Sequence, residues 1–329
     1  MAEGDEAVLT ADDDAFHRAG SDRWFEHETF WFSFSAPEHD GLGGWAYNYI
    51  RPTIGVAGGA VVVWDDSTWF HMEIPYYRGY QAMRIPPPGP PGTIAFPTGV
   101  TVQTLEPLRR YRLAFDDRPR LAFELTYDAD MAPWVHAVGH PVQHIDQVGH
   151  VTGMLTIAGR QIGIDCHAMR DRSWGRTRSE KWEVAGRTSD PQWEPHGGRP
   201  VGYTWAADER RAILFRGFDT ANSGFVSVDG QRALIDHGTR ALERHSRDGY
   251  ITSIRLEGAD VLGRKFRVSC RSVSRVAMPF PGVSGVCWTS TLRCQWDGAD
   301  ITGEDQEMYP YYSWSSWRRS QRARGAIRP

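Results

Sequence analysis

The chain of 329 residues has four cysteines (Cys166, Cys270, Cys287 and Cys294) and no Cys-x-x-Cys pair. That scarcity argues against a disulfide framework and against a thiolate metal site. Local alternation places Cys166 and Cys270 inside, as small hydrophobes. Lysine is nearly missing: only Lys181 and Lys265 among 37 basic residues, the rest being arginine. No apolar run approaches the roughly 20 residues of a membrane-crossing helix. The opening MAEGDEAVLTADDDAF is acidic and has no apolar centre, unlike a secretory signal. The expectation is a cytoplasmic protein with no integral membrane association. A formal net charge of −4 argues against a broad nucleic-acid footprint. The basic tail 317–329 reads as a solvated end. Gly-x-Gly-x-x-Gly, P-loop, Gly-x-Ser-x-Gly and His-Glu-x-x-His motifs are all missing, so nucleotide, acyl-serine and zinc-protease chemistry lack their usual marks.

Tryptophan, by contrast, is abundant. The 14 present are roughly threefold the usual one residue in a hundred. Most belong in the core of a large β-protein, and several can line a cavity for a greasy or aromatic ligand. Residues 1–22 read as an acidic lead-in. From Phe30 onward, short aromatic and β-branched runs are broken by Gly, Pro and Asp: 29–35, 44–51, 59–64, 111–114, 121–127, 148–157 and 160–168. The proline-rich stretch 86–97 is a loop. A segment without periodicity at 188–200 separates this half from a second set of runs at 202–206, 212–218, 224–228, 231–235, 252–256, 265–273 and 288–296. An acidic-aromatic segment, 303–314, closes the chain. Few helices are visible, and the spacing argues for an all-β protein of sandwich or barrel type.

The stretch 159–175, GRQIGIDCHAMRDRSWG, carries the strongest functional signal. Ile162, Ile164, Cys166 and Ala168 fall on one side of a period-2 strand, with Asp165, His167 and, if the strand runs on, Asp171 on the other. A polar turn, Asp-Arg-Ser-Trp-Gly, is expected to follow. Asp171 there can act as a general acid with Trp174 facing the developing cation, or it can simply fix the turn through backbone N–H groups. His167 can be acid, base or hydrogen-bond donor, with Asp165 setting its tautomer, or a strand histidine satisfied by a carbonyl. The pattern Gly-Arg-x-apolar-x-apolar-x-Cys recurs at 263–270, suggesting a duplicated unit whose acid–imidazole set survives in the first half only. The run His136, His140, His144, His150 suggests metal ligands on a helix. Pro133, Gly139, Pro141 and Gly149 break any such helix, and no metal is expected. His144 and Asp146 read instead as a same-face pair entering a strand. Tyr47, Tyr49 and Arg51 form one alternating row and Glu307, Tyr309 and Tyr311 another, either of them a ligand wall or a solvent-facing face.

The aromatic run Trp31-Phe32-Ser33-Phe34, the stretch His144-Ile145-Asp146-Gln147-x-Gly149, the motif from Asp165 to Gly175 and the closing Glu304-Asp305-Gln306-Glu307-Met308 together resemble the AttH-like and carotenoid 1,2-hydratase superfamily. That resemblance implies two consecutive lipocalin-like antiparallel β-barrel domains, here 1–188 and 200–329. Characterised members include carotenoid hydratases and fungal cyclases that work without redox cofactors. It therefore implies a lyase or isomerase using no cofactor, acting on a hydrophobic isoprenoid, polyketide or aromatic molecule. On this expectation His167 and Asp171 are the acid–base pair, assisted by Asp146 and Asp165. Trp174, Tyr49, Arg51, His144 and Tyr311 shape the substrate site. The alternative is a non-catalytic carrier of a lipid or pigment.

Overall fold

The computed structural model describes residues 9–16, 27–136, 142–175, 201–217, 219–221, 223–246, 249–280 and 285–310, with three isolated positions near the C-terminus. After a single turn of helix, α1 (Ala11–Asp14), the first half holds eleven strands: β1 (Glu28–Ala36), β2 (Leu42–Arg51), β3 (Val56–Trp64), β4 (Tyr76–Arg84), β5 (Thr93–Ala95), β6 (Thr101–Glu106), β7 (Arg110–Asp117), β8 (Leu121–Ala129), β9 (Trp134–His136), β10 (Val142–Ile157) and β11 (Arg160–Gly175). Eight follow: β12 (Val201–Ala207), β13 (Arg211–Arg216), β14 (Ser223–Val228), β15 (Gln231–Arg244), β16 (Ile251–Asp260), β17 (Lys265–Pro279), β18 (Gly285–Trp296) and β19 (Ala299–Pro310). No helix among the described residues is long and apolar enough to cross a membrane.

The chain forms two compact units. The first comprises Met1–Phe34, Gly44–Val63 and Pro75–Val184; the second comprises Ser35–Gly43, Trp64–Ile74 and Ala185–Pro329. Two segments from the range 1–188 thus belong to the second unit, where Ser35 Oγ donates to the Gly303 carbonyl at 2.6 Å and Trp64 Nε1 to Thr291 Oγ1 at 3.1 Å. The boundary expected at 188–200 lies outside the described residues.

The first unit is an open sheet in the order β4-β3-β2-β1-β11-β10-β8-β7-β6-β5, with β9 added on β10. Its core follows from alternation. Leu121, Phe123, Leu125 and Tyr127 of β8 and Tyr111, Leu113 and Phe115 of β7 are buried. Phe32 meets the rings of Tyr111 and Tyr127 at 5.6 and 5.5 Å. The cavity bounded by Phe32, Phe34, Val62, Leu113 and Phe123 is only about 10 Å³, room for about one water.

The Asp-Arg-Ser-Trp-Gly run expected as a turn is strand instead, because β11 continues to Gly175. Pairing with β1 on one side and β10 on the other satisfies its backbone. Arg170 and Arg172 consequently point inward. Arg170 lies 4.4 Å from the Tyr111 ring, bonds to Gln147 and pairs with Asp14 of α1. Arg172 pairs with Glu28 at 3.1 Å and lies 4.2 Å from the Phe30 ring.

The second unit is a closed eight-stranded antiparallel barrel in which β19 pairs with β12. Ile213, Phe215, Leu256, Phe266, Val268 and Trp296 are part of its core. A buried charge network includes Arg240, which donates to both oxygens of Asp305 at 2.6 and 2.8 Å and to Glu307 at 3.2 Å. Arg244 and Tyr309 complete the hydrogen bonding of Glu307. Cys270 and Cys294, opposed on β17 and β18, form a disulfide, while Cys166 and Cys287 are buried and take no part in one. This corrects the expectation that Cys270 is a reduced core residue: cross-strand register, invisible in the spacing, brings the two sulfurs together.

Candidate functional site

The register of β11 between its neighbours decides which side chains meet. One rung aligns Trp31, Asp171 and Asp146; the next aligns Thr29, Ser173 and His144. Directly opposed residues share a face, so these six stand together on the face opposite Arg170 and Arg172. His144 is the hub. Its Nδ1 lies 2.7 Å from Ser173 Oγ, and its Nε2 lies 3.2 Å from Asp146 Oδ2 and 3.6 Å from Asp171 Oδ2. Thr29 Oγ1 donates to Asp171 Oδ1 at 3.3 Å and accepts the Ser173 N–H at 3.1 Å.

All of these groups are buried; His144 is 7 % exposed, Asp171 5 % and Asp146 0 %. In so dry a setting each fixed dipole acts more strongly than in water. An imidazole clamped between a hydroxyl and two carboxylates can accept and return a proton without moving a side chain. One ligand atom from each of His144, Asp146 and Asp171 falls within 4.8 Å of the other two, so the same set has the minimum geometry to hold a cation.

The same face continues as an aromatic row. Trp31 meets Trp45 edge-to-face at 5.6 Å, and Tyr47 and Tyr49 alternate onward from Trp45 along β2. Tyr49 contacts His27 at 5.2 Å and takes the Arg51 guanidinium over its ring at 5.8 Å. Trp134 of β9 is in register with Asp146.

Asp171, Asp146 and His144 are therefore gathered into one cluster, with Tyr49 and Arg51 on the same face. His167 is not brought to Asp171. Although both side chains share a face, four residues of strand separate them by about 13 Å. His167 Nδ1 lies 3.6 Å from Asp130, and its ring meets that of His150 edge-on at 5.1 Å. Asp165 pairs with His150. These four form a separate, more exposed group. Trp174 sits on the reverse face of β11, with the Arg172 guanidinium 5.2 Å from its ring. Tyr311 and His140 lie outside the described residues. His136 is opposite His144 in the β9–β10 register, on strands rather than one helix. Ser173 belongs to the Asp-Arg-Ser-Trp-Gly motif that stands out in the sequence, whereas Thr29 and Trp31 are not among the expected site residues. The alternation of β1 alone would have put Thr29 and Trp31 on one face.

Behind the cluster, Asp14 anchors the N-terminal turn. Burial tends to raise its carboxyl pKa, but the charge of Arg170, the Tyr111 hydroxyl and the Leu108 N–H outweigh burial and hold it below 3.8. The Tyr111 hydroxyl is itself raised, first by burial.

A family model described as a domain of unknown function (DUF7064) matches residues 10–304. No curated protein matches the sequence. Among solved structures, a putative AttH from Nitrosomonas europaea is 12 % identical, covers 94 % of this chain and 98 % of its own, and superposes with a TM-score of 0.57. Kievitone hydratase from Nectria haematococca is 10 % identical over 87 % of this chain and 89 % of its own, with a TM-score of 0.50. CghA is 12 % identical over 86 % and 88 %, with a TM-score of 0.52. At such identities the likeness establishes the AttH-like, lipocalin-like fold.

Proposed function

The chain belongs to the DUF7064 family, and on that footing we propose that it is a lyase or isomerase that moves protons on a hydrophobic small molecule through His144, Asp146 and Asp171. The observation that carries this reading is the His144 clamp: Ser173 on Nδ1, two buried carboxylates facing Nε2. A dehydration illustrates its use. His144 Nε2 takes a proton from the carbon next to a carbonyl, and the freed electron pair forms the double bond. The neighbouring C–O bond breaks, and a protonated carboxyl of Asp171 or Asp146 gives its proton to the leaving oxygen, which departs as water. Transfer from His144 back to the carboxylate restores the starting state. Hydration is the reverse, and isomerisation or cyclisation uses the same take-and-return of a proton.

Trp31, Trp45, Tyr47 and Tyr49 form an aromatic row suited to a polyketide, isoprenoid or aromatic skeleton, and Arg51 suits an oxygen substituent. The name of one structural neighbour, a hydratase, is in keeping with this reading, though the likeness is one of fold. A carrier would use the same aromatic row without the clamp.

Native mass spectrometry of the purified protein, followed by identification of any co-purifying molecule, supplies a substrate class to assay. An enzyme converts that molecule or a close relative. Stoichiometric retention of it unchanged, with equal affinity in Asp171→Asn, favours the carrier and sinks the proposal.

A further inference from the structure

His167 and Asp165, prominent in the sequence, take no part in the acid–base cluster and stand with His150 and Asp130 instead. His150 and His167 are opposed in register on β10 and β11, so both imidazoles leave the sheet on one face. Each ring has a carboxylate at one of its nitrogens. His150 Nε2 donates to Asp165 Oδ1 at 2.5 Å, and His167 Nδ1 faces Asp130 Oδ2 at 3.6 Å. The other two nitrogens, Nδ1 of His150 and Nε2 of His167, meet no hydrogen-bonding group among the described residues. The imidazole side chains are 33 % and 12 % exposed, so solvent reaches the pair.

Metal-bound histidines are held in this way. One nitrogen goes to the ion, and the other is tied to a carboxylate that fixes the ring and raises its basicity. The spacing agrees. Metal–nitrogen bonds of about 2.0–2.1 Å place two imidazole centres about 5 Å apart when both bind one ion at a tetrahedral angle. The observed centres are 5.1 Å apart, with the ring planes at 87°. The surroundings are acidic as well. Asp128 of β8 lies opposite His150 and is paired with Arg110 at 3.1 Å, which leaves Asp130 and Asp165 to offset the charge of an ion.

We propose that His150 and His167 form a metal site on the first unit for a divalent late first-row ion, Zn²⁺ or Cu²⁺, with Asp165 and Asp130 as the carboxylates behind the ligands. Imidazole selects this class over Mg²⁺ and Ca²⁺, which take oxygen ligands. Two protein nitrogens leave the remaining coordination positions to water or a small ligand. Of the run His136, His140, His144 and His150, only His150 takes part, and its partner comes from the next strand. The inference does not depend on the acid–base reading, which uses His144 on another rung.

The test is calorimetric titration of the full chain, free of added histidines and treated with chelator, with Zn²⁺. The expected result is saturable binding in the micromolar range that His144→Gln leaves unchanged. Affinity should fall at least tenfold in His150→Gln and in His167→Gln, and about tenfold in Asp165→Asn, which removes only the carboxylate behind the ligand. Electron paramagnetic resonance of the Cu²⁺-loaded protein should show coupling to two imidazole nitrogens, and to one in either glutamine variant. An unchanged melting profile verifies each fold. If His167→Gln melts early, Asp165→Asn carries the test, because that side chain is 81 % exposed. No binding by wild type overturns the proposal. So does affinity that survives in His150→Gln and falls in His144→Gln, since the ion then sits in the buried cluster.

Discussion

Asp14→Asn is the sharpest test of how the first unit is held together. Asp14 is the last residue of α1, yet it is buried and accepts hydrogen bonds from the Leu108 N–H at 2.9 Å, the Tyr111 hydroxyl at 2.6 Å and the Arg170 guanidinium. Arg170 lies one residue from Asp171, so the anchor also fixes β11. The amide removes the charge while keeping the shape, leaving Arg170 buried beside a neutral partner. Breaking one side of such a pair costs about 3–5 kcal/mol. For a unit of this size that lowers the melting midpoint by roughly 2–4 °C per kcal/mol, or on the order of 10 °C. The pH dependence has a definite sign. The folded-state pKa of Asp14 lies below the ordinary 3.8. Its contribution is therefore complete above that value and is lost as pH falls through the lower, folded-state pKa. Scanning calorimetry of wild type and variant should show the full gap at pH 7 and convergence only well into the acid range. A midpoint within about 2 °C of wild type at pH 7, or a gap that stays constant to pH 2, refutes the reasoning.

In the second unit, Arg240→Met removes a guanidinium that spans Asp305 and Glu307. Arg244 still serves Glu307, but Asp305 is left as a buried carboxylate without its counter-charge, so a loss of about 3–5 kcal/mol is expected in denaturant titration. Stability equal to wild type would count against a structural role. Thiol titration of the denatured, unreduced protein should find Cys166 and Cys287 only, and all four cysteines after reduction. Four thiols without reductant would mean that Cys270 and Cys294 are not bonded in the isolated protein.

Much of the fold was readable because strands such as β7, β8 and β17 alternate buried and more exposed side chains, while β1 and β2 stand out as aromatic-rich runs buried almost throughout. The runs at 121–127 and 160–168 lie inside β8 and β11, and the runs at 29–35 and 44–51 lie inside β1 and β2. The expected strand at 231–235 stops short because β15 continues to Arg244 through inward-facing Arg240, which breaks the apolar period that marks a buried face. The site was half legible. His144 with Asp146, and Asp165, His167 and Asp171 as one face, follow from period two within a strand. Which of them touch depends on register across three strands, and no one-dimensional spacing encodes that. This is why His167 was paired with Asp171, when the imidazole beside Asp171 is His144. The same blindness hid the Cys270–Cys294 bond. Trp174 was placed with Asp171 because the motif read as a turn, whereas a continuous strand sends neighbours to opposite faces.

The most direct test of the acid–base account is kcat/KM for a β-hydroxy ketone, alkene or phenolic substrate found by screening, measured in wild type, His144→Gln, Asp171→Asn, their double variant and His167→Gln. The account predicts losses on the order of 10²-fold or more for each of the first two. It predicts little further loss in the double variant, because the groups act as one unit, and a rate within a few-fold of wild type for His167→Gln. His144→Gln turning over at near wild-type rate, or His167→Gln falling as far as Asp171→Asn, would contradict it.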